Sequence, residues 1–151
     1  MTGYYDITTI LKTALLEDAF VNTVTEGTIN EIDVSKQTIF PLSHMRVANI
    51  IQETSVLRFS MEIELVDIVD VNNEQTNDRF LGNDNEHDIM NTQLAVGVRL
   101  MDRLYRGDLK TSDYSLDGEP NYEPIHNDYE NGLSGWRLTF DILYKHEMTI
   151  C

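Results

Sequence analysis

The side chains able to do chemistry here are four histidines, one cysteine and a large surplus of carboxylates, and their spacing limits what they can do. No two of His44, His87, His126 and His146 stand at a metal-ligand spacing, and Cys151 joins none of them. Asp70, Asn72 and Glu74 match the start of a calcium loop, but its sixth position holds Gln75 instead of glycine and its twelfth Leu81 instead of glutamate. A nucleophile elbow around Ser134 would need a glycine at position 136, where the chain has Trp136, so Ser134 reads as a turn residue. Glu62 and Glu64 share one strand face, which serves glycoside hydrolysis only inside a cleft and otherwise is a solvated edge. There is no phosphate-binding loop and no glycine-rich dinucleotide fingerprint. Tyr105, Tyr114, Tyr122, Tyr129 and Trp136 lack the interleaved bases of a nucleic-acid platform. The expectation is a protein with no catalytic, cofactor or metal site.

Charge is the stronger signal. The net charge is -15, and nearly all of it lies in two stretches. Glu62–Asp88 holds nine acids against Arg79 alone, and Asp108–Glu130 holds seven against Lys110 alone. Such stretches repel nucleic acid instead of neutralising its phosphates. They predict either a protein to which DNA must not stick or one that meets basic partners.

The elements follow from periodicity. Residues 6–20 predict an amphipathic helix capped by Asp6, with Ile7, Ile10, Leu11, Ala14 and Leu15 on one face. Stretches 21–33 and 38–47 predict a hairpin whose second strand Pro41 demotes to an edge or to broken pairing. From Ser55 to Val69, Leu57, Phe59, Met61, Ile63 and Leu65 alternate with Arg58, Ser60, Glu62 and Glu64, a strand buried on one side. Polar residues 70–88 predict a long acidic loop. A helix over 86–106 follows, with Met90, Leu94, Gly97, Val98, Met101, Leu104 and Tyr105 on one face and Gly107 as its stop. Gly97 marks close packing against a strand. Residues 108–130 predict a second acidic loop opposed to regular structure by Pro120 and Pro124, with room for a short strand at 122–129. A strand from Leu133 to Ile150 closes the chain, with Trp136, Leu138, Phe140, Ile142, Tyr144 and His146 on its apolar face.

This order predicts a single α+β domain over 1–151: a mainly antiparallel sheet with long strands, packed on one face by an N-terminal and a central helix. A lone cysteine excludes an intrachain disulfide framework and fits a reducing compartment. No signal peptide or apolar run of membrane-spanning length is read, so a soluble intracellular protein with no membrane partner is expected.

Three segments carry a resemblance: Tyr5-Asp-Ile-Thr-Thr-Ile-Leu-Lys-Thr-Ala-Leu-Leu, Phe40-Pro-Leu-Ser-His-Met-Arg-Val and Leu133-Ser-Gly-Trp-Arg-Leu-Thr-Phe-Asp-Ile. In their order and lengths the chain resembles the tail terminator and tail completion (head-tail neck) proteins of tailed bacteriophages. That resemblance implies a structural virion protein, assembled in the host cytoplasm as a homo-oligomeric ring, often a hexamer. It implies neighbouring tail-tube and head-connector proteins as partners, with DNA passing through the lumen without specific binding. The acidic stretches at 70–88 and 108–130 are longer than the family pattern requires. Glu62, Glu64 and Asp67 are the candidate lumen-facing acids. Asp70, Glu74, Asp78 and Asp84 on the first loop, and Asp113, Asp117, Glu119 and Glu123 on the second, are the candidate interface residues.

Two other classes stay open on the residues alone. An acidic DNA mimic would inhibit a basic partner with strong salt dependence. A small metal-dependent enzyme would need carboxylate ligands that the spacing does not gather.

Overall fold

A computed structural model describes residues 3–27, 40–69, 85–111, 113–128 and 132–145. Its elements are α1 (Gly3–Leu16), β1 (Thr23–Glu26), β2 (Leu42–Gln52), β3 (Val56–Ile68), α2 (Glu86–Arg106), β4 (Tyr114–Asp128) and β5 (Leu133–Lys145). The five strands form one sheet in the order β1-β2-β3-β5-β4, antiparallel throughout except for β1 beside β2. Both helices cover the same face, so the fold is α+β.

The period of two in β3 decides that face. Phe59, Met61, Ile63 and Leu65 are buried under the helices with Leu138, Phe140, Ile142 and Tyr144 of β5. Ile7, Leu11, Ala14 and Leu15 of α1 and Val96, Leu100, Met101 and Leu104 of α2 close the core from above. Gly97 permits the approach: a Cβ there would lie 2.8 Å from the Tyr122 ring and 3.0 Å from Leu65 Cδ1. A second, smaller apolar group (Phe40, Leu42, Val66, Ile125 and Leu133) sits at one end of the opposite face.

Several expectations change. α1 starts and stops earlier than 6–20, so Asp6 lies inside its first turn instead of capping it. Past Leu16 the Asp18 N–H bonds the Leu15 carbonyl at 3.1 Å and Asp18 accepts the Phe20 N–H at 3.0 Å, so residues 18–20 form a turn instead of more helix. The predicted hairpin is not one: Thr23–Glu26 runs parallel to Leu42–Met45, and a two-strand turn cannot join parallel strands. Pro41 follows a cis peptide and stands just before the ladder, where its carbonyl accepts the N–H groups of Asn22 and Thr23. The first half of β2 is therefore interior, between β1 and β3, and not an edge.

The largest change is at 108–130, where the acidic segment forms the 15-residue strand β4. Its prolines survive because β4 is the outer strand of the sheet. Pro120 falls in a bulge between the pairs Asp117–Asp141 and Asn121–Thr139, beside Gly118 at φ 70°. On α2 the buried stripe is Ile89, Gln93, Val96, Gly97, Leu100, Met101 and Leu104, with Val98 and Tyr105 exposed. A polar Gln93 in the core stripe hid this rotation from the sequence. Residues 70–84 and 146–151 lie outside the described residues, and with them Asp70, Glu74, Asp78, Asp84, His146 and the calcium-like positions. No described helix is long and apolar enough to cross a membrane.

Candidate functional site

The helix-free face of the sheet gathers the charged residues that the strand alternation turns away from the core. Register puts His44 opposite Glu64, Arg46 opposite Glu62, Glu64 opposite Arg137, and Arg137 opposite Glu123. Arg137 is the hub: its guanidinium lies 3.2 Å from Glu64, 3.6 Å from Glu62 and 3.8 Å from Glu123. Arg46 holds Glu62 from the far side at 2.8 Å. The row thus crosses β2, β3, β5 and β4 with alternating charge. Further along the face, Arg58 bridges Asp117 at 3.2 Å, where Asp117 and Asp141 stand directly opposite one another.

These positions revise the reading of the acids. Glu62 and Glu64 do share a face, but Glu64 is buried, its side chain 8% exposed beneath Arg137. Asp67 belongs to the opposite, helix-side face, because β3 pairs without a break through Ile68. Asp117, Glu119 and Glu123 lie on a strand instead of a loop, and Asp113 stands just before it. His44 is a buried structural residue. Its Nε2–H donates to the Gly27 carbonyl at 2.8 Å and Nδ1 pairs with the Thr25 hydroxyl at 2.7 Å, fastening β1 to β2.

Sequence reasoning missed a corner built from distant residues. Glu86 Oε1, at the start of α2, lies 2.8 Å from His126 Nδ1 and accepts the Ser134 hydroxyl at 3.2 Å. Ser134 is a strand residue and fully buried. The carboxylate stands between serine and histidine, so the imidazole has no path to the hydroxyl, and this is not a nucleophilic triad. Trp136 Nε1–H donates to the Met90 carbonyl at 2.8 Å and pins the same helix end. No spacing signal links positions 86, 126 and 134. Among the described residues, no three His, Cys, Asp or Glu side chains converge as metal ligands.

An open groove of about 460 Å³ lies between the end of α1 and the middle of α2, lined by Leu15, Asp18, Phe20, Val96, Arg99 and Arg103 among others. Its cations are already matched. Arg99 grips both oxygens of Asp18 at 2.7 and 2.9 Å and covers the exposed Phe20 ring at 5.7 Å. Arg103 holds Asp108 at 2.7 and 2.8 Å and Glu17 at 3.0 Å. Burial works to raise the Asp18 carboxyl, but the Arg99 hydrogen bond, the Phe20 N–H and the Arg99 charge outweigh it and hold the group below its ordinary range. The hydrogen bond to Arg103 likewise holds the Asp108 carboxyl low.

What the described surface offers is thus an ion-paired sheet face with a small acid excess and a neutralised helix groove. Neither converges on a reacting atom. The chain matches no protein-family model and no curated protein.

Proposed function

We propose that this chain is a structural protein of a tailed-phage particle, a ring-forming tail terminator or neck protein that joins tail to head. One observation carries the reading: the broad helix-free face of the sheet bears a cross-strand network of carboxylates with its arginines already engaged. It presents Glu62, Glu64, Asp117, Glu123 and Asp141 against Arg46, Arg58, Arg137 and Lys145, by the alternation of four paired strands, a small excess of acid. A fixed negative wall repels phosphates and lets a polyanion slide past without being trapped. Its cross-strand ion pairs hold most of these carboxylates in place and leave the face only slightly negative, so its arginines are not free to bind phosphates. Glu62 and Glu123 are the lumen-facing groups in this reading, Glu64 lies beneath them, and Asp67 is excluded by its face.

The test is the absolute mass of the purified protein by light scattering at low and high salt, with negative-stain images of the main peak. Closed rings whose mass is a fixed multiple of the 17.4 kDa chain support the reading. A monomer at every salt, on its own and with purified tail tubes, overturns it.

A further inference from the structure

Among the described residues, no strand pairs the outer edge of β2 beyond Met45. β1 pairs with β2 from Leu42 to Met45, and beyond that point Arg46, Ala48, Asn49, Ile50, Ile51 and Gln52 are exposed. Ile50 and Ile51 are 43% and 47% exposed, on opposite faces of the hairpin that β2 forms with β3. An open strand edge flanked by large aliphatic side chains is a template for another strand. It is also acid-free: from Pro41 to Gln52 the chain has no Asp or Glu, in a protein of net charge -15. Here two copies can approach without the repulsion that most of the surface imposes.

We infer that this edge pairs with the same edge of a second copy, antiparallel about a two-fold axis at Ile50. The register follows from the sheet. A continuous sheet must keep each face in phase, so residues facing one another across the axis must point to the same side. Ile50 pairs with Phe59, Val47 with Met61 and Gln52 with Leu57, all on the helix side, while Asn49, Ile51 and Arg46 share the other. The ladder shifts register between Val47 and Asn49, leaving Ala48 as the extra residue. Centred on Ile50, the pairing then sets Asn49 against Ile51 of the second copy and Val47 against its Gln52. Arg46 meets Glu53 of the second copy, the residue whose N–H closes the hairpin on the Val56 carbonyl. Opposite charges meet twice, once on each side of the axis. Both side chains are half exposed and already oriented, Arg46 by Glu62 at 2.8 Å and Glu53 by Arg58 at 3.3 Å. The other outer strand, β4, does not compete: Pro120 and Pro124 remove backbone donors, and Asp117, Glu119 and Glu123 repel a second acidic chain.

This contact does not rest on the neck reading. Being two-fold, it adds subunits in pairs, whether in a simple dimer or between two stacked rings.

The experiment measures mass by sedimentation equilibrium and cross-linking under oxidation. Ile50→Lys should halve the mass of the native species with unchanged circular dichroism, and Phe20→Lys in the helix groove should leave it intact. In a Cys151→Ser background, Ile50→Cys should give a disulfide dimer released by reductant, as side chains facing across an antiparallel pair allow. Retained mass in Ile50→Lys or absence of the cross-link overturns the inference. A ring that survives Ile50→Lys would sink this contact while leaving the neck reading standing.

Discussion

Arg137 of β5 faces Glu64 of β3 directly across the ladder, with its guanidinium 3.2 Å from a carboxylate only 8% exposed. The arginine also reaches Glu62 and Glu123, so one cation serves three acids on the broadest face of the sheet. A carboxylate that deep is held by its partner, and removing the partner costs more than the pair itself contributes.

Arg137→Met should therefore destabilise the fold by roughly 2 kcal/mol, a figure reduced from the fully buried case because Arg137 is partly solvated. Adding Glu64→Gln should return about half of the loss by removing the stranded charge. Urea midpoints of the single and double variants check this. A double variant weaker than the sum of the two singles would show that Glu64 is stabilised elsewhere.

Gly135 of β5 lies hard against the β3 backbone. A Cβ there would lie 1.8 Å from the Leu65 carbonyl oxygen and 2.9 Å from Val66 Cα, and neither backbone atom can move without opening the β3–β5 ladder. Gly135→Ala should cost about 3 kcal/mol or more, an overpacking penalty at the upper end because no side chain can yield. Gly97→Ala should cost less, because there the Cβ meets a tyrosine ring and a leucine methyl, and alanine returns about 1 kcal/mol of helix propensity. Thermal unfolding of both variants should rank them in that order.

The Asp18–Arg99 pair gives an acid-side signature. Asp18 has its carboxyl lowered in the fold, so the native state binds this proton more weakly than the unfolded chain does. Its stabilisation is present above the unfolded value, about 3.9, and is lost as pH falls through the lower folded value. Asp18→Asn should lower stability by about 0.5 to 1 kcal/mol at neutral pH, a modest figure because Arg99 is 48% exposed. The gap between wild type and variant should stay constant down to about pH 4 and close only below it. Urea titrations at three pH values measure it, and a gap that closes near pH 6 would refute the assignment.

How much was legible from the chain follows from the range of the interactions. β3 and β5 could be read because each alternates over many residues, and a two-residue period survives any tertiary setting that buries one side. α2 could be bounded at Glu86 and Arg106 by its acidic start, basic end and following Gly107, all local signals. Gly97 pointed to the helix–sheet contact because a mid-helix glycine has a cost that close packing offsets. Other features depended on partners far along the chain. β4 looked like a loop because its prolines and acids are unfavourable in an interior strand, and only its outer place beside β5 makes them tolerable. The parallel pairing of β1 with β2 had no local signature, since Thr23–Glu26 and Leu42–Met45 would read alike in either direction. Nor could the sequence say that Asp67 turns under the helices while Glu64 sinks beneath Arg137. Alternation and charge are written residue by residue, so the sequence by itself determined the two helices, the strands β3 and β5 with one buried face each, and the acid excess. Strand order, register and the partner each carboxylate meets arise only when distant segments share one sheet, and those the tertiary structure decided.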